Sequence, residues 1–401
     1  MYPMDPHRTL EYFQKRHENL LSSIREIVGI ESPSRNVEAI RAVVNWIEKR
    51  ADQIALDLKI EKIEAEGFGD HLIIRAFPSD ERGVLILGHT DTVHPIGTKE
   101  KNPTRIEGDK FFGCGIFDMK ANIVLVLEVL QYFAETGQKP SRPINFLLSC
   151  DEEVGSKTGR PVVENEAKNA EICLVLEPSF EGKVKTGRKG TGMFTLRAHG
   201  IPAHAGLEPE KGASAILELS RQIEKIHTLN NAANGTTVNA CTIKGGTTSN
   251  VIPEWAETEI DVRFTSIKEA ERIAGEFAGL QSVDNRVSLE LLGGINRPPL
   301  ERTEAVVGLY EKAHDLAASF DYEVGETQVG GASDGNFVAA VGVPVLDGIG
   351  IAGAGAHTLH EHILVSDIAR RTTLVALILA DDQKKIEHGF ALKKRINTGL
   401  K

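Results

Sequence analysis

Cysteine is scarce in this chain, with Cys114, Cys150, Cys173 and Cys241 the four among 401 residues. No two form a CxxC pair, so neither a thiolate metal knuckle nor a redox pair is written here. Three of them lie in or beside apolar runs, the setting of small buried thiols in a reducing compartment. Long apolar runs are also missing. None approaches the ~18–20 residues that a membrane-spanning helix needs. The first residues lack a basic stretch followed by an apolar one, so no signal peptide is expected and the cytoplasm is the expected location. Positive charge is in deficit too: 57 acidic residues stand against 46 basic ones, a formal net charge of −11. Such a surface argues against nucleic acid or an anionic membrane as partner, and it suits a site that holds cations. Internal repeats and low-complexity tracts are absent as well.

What is present is an ordinary globular composition, 41% hydrophobic and 26% charged, on a chain long enough for two domains. Helical spacing of apolar residues marks 8–29 and 37–52, and strands follow at 56–64, 71–77 and 84–87. A strongly apolar helix at 119–134, a strand at 144–149, a helix at 161–168 and a strand at 172–176 continue the alternation. The character changes near 185. Strands at 189–198, 238–243, 256–264 and 287–292, with helices at 209–228 and 267–280, give a β-α-β-β-α-β order of the ferredoxin-like kind. Strand–helix alternation then resumes with helices at 302–319, 334–341 and 365–379 and a strand at 343–346. The expected fold is therefore α/β with two domains. A mixed-sheet catalytic domain is made from 1–187 and 297–401, and an inserted α+β domain occupies 188–296. The tail from 383, with Lys384, Lys385, Lys393, Lys394 and Arg395, reads as a solvated end.

The chemistry begins at Val84–Asp91. Four apolar residues form a buried strand, Gly88 allows a turn, and His89 and Asp91 follow two apart, on the same face of extended backbone. Other strand ends repeat the pattern. Asp118 precedes the helix at 119, Glu152 and Glu153 follow the strand at 144–149, and Glu177 follows that at 172–176. His357, His360 and His362 lie in the loop after 343–346. Taken singly, Asp118 is equally a helix cap and Glu152-Glu153 a solvated turn. If the strands are neighbours, the groups converge at one sheet edge, where unpaired buried carboxylates would repel one another. Divalent metals relieve that cost, and imidazole plus carboxylate without thiolate suits zinc, with cobalt or manganese able to substitute.

Six stretches occur in this order: His89-Thr-Asp-Thr-Val, Gly113-Cys-Gly-Ile-Phe-Asp-Met-Lys, Asp151-Glu-Glu-Val-Gly-Ser, Leu176-Glu-Pro, Ala203-His-Ala-Gly and Gly355-Ala-His. Together they resemble the M20 family of dinuclear zinc peptidases and amidohydrolases, and within it the glutamate carboxypeptidase branch. The similarity runs from about residue 15 to 380. It implies two zinc ions per subunit, one on His89 and Glu177, the other on Glu153 and His357, with Asp118 bridging. In the family an acidic residue follows the last histidine by four, and Glu361 stands four after His357. This puts His357 ahead of His360 and His362 as the last ligand. Asp91 would fix the tautomer of His89. Glu152 would be the general base, taking a proton from a water held between the metals and passing it to the leaving amine.

The resemblance also assigns work to the inserted domain. His204 would reach the partner subunit's site and stabilise the oxyanion, which implies a homodimer. His199 has no such support and reads as structural. Asn250 and Arg263 match positions that contact the substrate's carboxylate or carbonyl, and Arg297 and the loop Gly330–Asp334 are further candidates for that pocket. One departure is Ala121, where the family often has glycine. The implied activity is hydrolysis of a C-terminal amide in a peptide or N-acyl amino acid, releasing an amino acid, with glutamate expected. An N-acyl amino acid deacylase of the same family is the alternative, and a non-catalytic binding protein on the same fold is disfavoured because Glu152 and every expected ligand are present.

Overall fold

The computed structural model describes residues 4–381, so the basic tail lies outside the described residues. The fold is α/β, with mixed and antiparallel sheets, and the chain divides into two compact units. Among the described residues the first takes in 4–187, 302–328 and 333–381, the second 188–301 and 329–332.

The first unit is built on a six-stranded sheet. Its strands are β1 (Lys59–Ala65), β2 (Gly69–Ala76), β3 (Gly83–His89), β4 (Ile144–Ser149), β5 (Ala170–Val175) and a short strand at Val345–Leu346. They lie in the order β1-β2-β4-β3-β5-(345–346). The β1 and β2 strands run antiparallel to their neighbours, while β4, β3, β5 and the last strand are mutually parallel. Val84 to Leu87 are at most 1% exposed. With both faces covered, a parallel strand reads as an unbroken apolar run rather than an alternation. Three parallel neighbours therefore end side by side, and His89, the Glu152-Glu153 pair and Glu177 all follow their C-terminal ends. Loops at that edge are where open α/β sheets place their chemistry.

The covering helices follow from local signals. Asp5 caps the helix Pro6–Lys15 by accepting the His7 and Arg8 N–H groups, with proline at its first position. Asn36 caps Val37–Ala51 through the Ala39 N–H. The helix Ala121–Thr136 is buried almost all round, as its sequence suggests. The N-terminal helix expected as one piece over 8–29 is two, Pro6–Lys15 and His17–Val28. The break falls at Arg16, whose guanidinium reaches the buried carboxylate of Glu128 at 2.9 Å. Apolar periodicity continues through this break, so the pattern alone conceals it. A two-stranded hairpin, Arg105–Glu107 with Lys110–Phe112, occupies a stretch that reads as irregular. Cys114, Cys150 and Cys173 are buried, whereas Cys241 is exposed, and all four are free.

The second unit is an antiparallel sheet of β6 (Gly190–His199), β7 (Thr237–Ala240), β8 (Trp255–Phe264) and β9 (Ser288–Arg297) in the order β7-β8-β6-β9, with the short strand Lys244–Gly245 also on β8. Helices Ala215–His227 and Ile267–Ala278 pack on one face. Leu219, Ile226, Ile273 and Phe277 meet Phe194, Leu196, Ile260 and Val262 there. Burial alternates along β6 and β8, as period-2 sequence patterns require when one face is open. With its helices, this is the split β-α-β arrangement.

Candidate metal centre

The site belongs to the first unit and is built outward from His89. Its Nδ1 donates to the Asp91 backbone carbonyl at 2.9 Å, with the Asp91 Oδ1 at 3.4 Å. Committing Nδ1 as donor turns Nε2 toward the carboxylates, where it stands 3.2 Å from Asp118 Oδ1 and 3.5 Å from Glu177 Oε1. Gly88 packs closely beside it, since a Cβ there would come within 2.7 Å of Met119 Sδ and displace that side chain, whose sulfur accepts the His89 N–H.

A second imidazole, His357, closes the other half. Its Nε2 lies 3.2 Å from Asp118 Oδ2 and 3.1 Å from Glu153 Oε2. Asp118 thus presents one oxygen to each histidine. The other two histidines of that loop are engaged differently: the His360 N–H donates to the Thr358 hydroxyl at 3.1 Å, and the His362 ring packs on Phe112 with centroids 5.1 Å apart. A carboxylate oxygen of Glu152 lies within 4.8 Å of ligand atoms of both His89 and Glu177.

Electrostatics show what this pocket suits. Burial works against ionising Asp118, but hydrogen bonds to His357 and His89 hold its carboxyl well below the ordinary carboxylate range. Burial pushes the Glu153 carboxyl up in spite of its bond to His357. Bonds to Asp118 and Glu153 raise His357 to about 10. Burial opposes charge on His89, yet bonds to Asp118, Asp91 and Glu177 raise it well above the usual imidazole value. Among the described residues, the ion pairs of Asp118 and Glu153 run to imidazoles alone. Glu153 Oε1 is buried with no hydrogen-bond partner. An excess of buried carboxylate, one orphaned oxygen and two imidazoles form a donor set that fits divalent metal, with nitrogen and oxygen ligands and no thiolate.

The supporting shell joins Asp91, expected from the sequence, to bonds that spacing alone does not reveal. Asp91 accepts the Glu152 N–H on Oδ1 at 3.2 Å and the Glu153 N–H on Oδ2 at 3.1 Å, along with the Ser34 hydroxyl at 2.7 Å. Asp151 accepts the Thr158 N–H at 2.7 Å and the Thr158 hydroxyl at 2.8 Å, closing the loop that follows β4. Asn122 donates to the Leu176 carbonyl at 2.8 Å and accepts the Ile351 N–H at 2.9 Å, steadying the residue before Glu177. Glu361 is fully buried and accepts from His94 and three backbone N–H groups around Asp118. Of these, Asn122 carries a faint signal, a polar residue inside an otherwise apolar helix.

The remaining sequence candidates lie in the second unit. His204 is exposed, on a short strand paired with Val251–Ile252. Its Nδ1 accepts the N–H groups of Gly206 at 3.2 Å and Leu207 at 3.1 Å, which leaves the proton on Nε2. Asn250 is beside it, its carbonyl accepting the Ala205 N–H at 2.9 Å. Arg263 is forked on Asp261, with Nε to Oδ1 at 2.9 Å and Nη2 to Oδ2 at 2.8 Å. Arg297 is buried at the end of β9. In the first unit, Ser333 donates to Asp347 at 2.6 Å, and Asp334 accepts the Ser149 hydroxyl at 2.8 Å, so that end of the glycine-rich loop is spent on internal bonds.

Known proteins resemble this chain. Residues 85–381 match the family model for peptidase family M20/M25/M40. The chain is 28% identical over 374 residues to Carboxypeptidase G2 of Pseudomonas sp. (strain RS-16), covering 90% of this chain and 89% of that protein. It is 30% identical over 310 residues to the succinyl-diaminopimelate desuccinylase of Delftia acidovorans (strain DSM 14801 / SPH-1), covering 72% and 78%. Among solved structures, Bacillus subtilis YXEP protein, a dinuclear metal binding peptidase from M20 family, matches with a TM-score of 0.61 at 16% identity, covering 92% of this chain and 98% of that one.

Proposed function

The chain belongs to peptidase family M20/M25/M40, and from that premise we propose that it is a zinc-dependent carboxypeptidase releasing a C-terminal amino acid, glutamate foremost, from an amide. The observation that carries the chemistry is Asp118, with its two oxygens 3.2 Å from two different imidazoles, each imidazole also close to a glutamate. His89 and Glu177 would hold one zinc, Glu153 and His357 the other, and Asp118 would span them. Bound zinc supplies a Lewis acid for the scissile carbonyl and lowers the pKa of attacking water.

The chain's own residues do the rest. Glu152 takes the water's proton on its carboxylate and returns it to the leaving amide nitrogen. Glu153, its neighbour, is anchored toward His357 and is unavailable for that exchange. His204 carries its proton on Nε2 and offers it as a hydrogen-bond donor to the tetrahedral oxyanion in a partner copy's site. The homodimer is part of this reading. Asn250, Arg263 and Arg297 grip the substrate's free carboxylate or its carbonyl, and Arg263 would exchange Asp261 for it.

The likeness to Carboxypeptidase G2 over 90% of the chain supports the carboxypeptidase reading. The 30% identity to a desuccinylase favours a second reading, an N-acyl amino acid deacylase with the same machinery. A substrate panel separates them: benzoyl-glutamate and short dipeptides against N-succinyl and N-acetyl amino acids, with zinc-loaded wild type beside Glu152→Ala. Fastest release from bulky acyl-glutamates, lost in the variant, supports the carboxypeptidase. Fastest release from small acyl groups moves the protein to the deacylases. Activity surviving in Glu152→Ala refutes the base assignment.

A further inference from the structure

Glu361 ties together three loops that are far apart in sequence. Its carboxylate is fully buried. Oε2 accepts from His94 Nε2 at 2.7 Å and the Gly115 N–H at 2.9 Å. Oε1 accepts the Phe117 and Asp118 N–H groups, both at 2.9 Å. The Glu361 backbone carbonyl also takes the Gly113 N–H at 3.3 Å. His94 comes from the loop after His89 and Asp91, Gly115 to Asp118 from the bridging loop, and Glu361 from the loop that carries His357.

Those loops need an external hold. Gly115 is left-handed at φ 70°, and its position faces Thr92, so the turn before Asp118 tolerates no side chain. His357 is itself left-handed at φ 65°, uncommon for a residue with a side chain. Such conformations persist where surrounding structure fixes them. Asp118 itself has non-helical backbone angles, and its N–H is held by Glu361. A carboxylate on several N–H donors is a strong anchor because each bond is charge-assisted.

We propose that Glu361, braced by His94, is a positioning residue that sets the Asp118-to-His357 spacing, so that its loss weakens the metal position shared by His357 and Glu153 more than that of His89 and Glu177. The inference rests on the metal-centre reading above. It follows from which loops are tied: Glu361 holds the backbone on both sides of the His357–Asp118 contact. His89, by contrast, is held by its own strand and by Asp91.

The test is cobalt(II) titration of the metal-stripped full-length protein, followed by visible absorption and by calorimetry. Wild type should take two equivalents. In Glu361→Gln one oxygen becomes an amide NH2, which cannot accept an N–H. One equivalent should weaken about 10- to 100-fold and the other distinctly less, with circular dichroism unchanged. His94→Phe removes only the brace and should weaken the same equivalent less, and His94→Gln, which restores an N–H donor, should recover part of the loss. A folded Glu361→Gln that binds both equivalents as wild type does, or loses both equally, overturns the inference. If Glu361→Gln fails to fold, His94→Phe decides, and two wild-type affinities there overturn it. Wild type taking fewer than two equivalents would instead refute the metal-centre reading, and this inference with it.

Discussion

Asp91 accepts the Glu153 peptide N–H on Oδ2 at 3.1 Å, across the boundary between two neighbouring strands of the sheet. Its other oxygen accepts the Glu152 N–H at 3.2 Å, and its backbone carbonyl takes the His89 Nδ1 proton at 2.9 Å. One residue therefore sets both the ring of His89 and the backbone of the acidic pair. Asp91→Asn turns one acceptor into a donor against an N–H group. Its expected effect is a fall of about 10- to 100-fold in metal affinity or turnover, the range for partners that orient ligands. Calorimetric zinc binding and kcat for the folded variant check this, and a variant indistinguishable from wild type would remove Asp91 from the site.

The two adjacent glutamates are predicted to fail in different ways. Glu153→Gln removes a carboxylate already 3.1 Å from His357 and should release metal, seen as lowered zinc content after dialysis. Glu152→Gln should keep the zinc content and lose about 10²- to 10⁴-fold in turnover, the usual contribution of a positioned acid or base. Glu152 also lies within 4.8 Å of the His89 and Glu177 ligand atoms. Loss of zinc from Glu152→Gln with retention in Glu153→Gln would exchange their roles.

Much of the centre is legible in the sequence because its parts sit at strand ends. The apolar run Val84–Leu87 and its counterparts at 144–149 and 172–176 announce buried neighbours, and the polar residues after them inherit that adjacency. The ferredoxin-like order of the second unit is equally legible, since its strands alternate and its helices are amphipathic. The bracing is less so. Glu361 is 243 residues from Asp118, and no periodicity reports a bond over that separation. Spacing marks Glu361 only as a signpost for His357, whereas the structure shows it holding the bridging loop. The irregular turn Ile116–Lys120 ahead of the buried helix is hidden for a related reason, because Ile116, Phe117 and Met119 continue the apolar pattern while the backbone departs from it.

Metal removal should cost stability as well as activity. Without a cation the carboxylates of Asp118, Glu153 and Glu177 are packed together around the imidazoles of His89 and His357. A ligand that binds only the folded state at 100 times its Kd adds about 2.7 kcal/mol per site. Chelation should lower the thermal midpoint by several degrees, and zinc should restore it. A midpoint insensitive to chelator, in protein shown by elemental analysis to have lost its metal, would contradict the reading of an unbalanced acidic pocket.

In the second unit, Glu269 offers a pH test independent of the metal centre. Hydrogen bonds from Arg272 first, then from the Thr236 hydroxyl at 2.6 Å, hold its carboxyl at about 2, below the ordinary value of 4.5, although burial opposes this. A group whose folded-state pKa is depressed adds stability at pH values above its unfolded pKa. That contribution is whole above about 4.5, falls as pH drops toward about 2, and is gone below both values. Glu269→Gln should therefore be less stable than wild type at pH 7, and the gap should narrow steadily between pH 4.5 and pH 2. Denaturant midpoints measured across that range read the gap directly. A gap that stays constant with pH would mean that Glu269 contributes by packing or neutral hydrogen bonding, and that its charge does not.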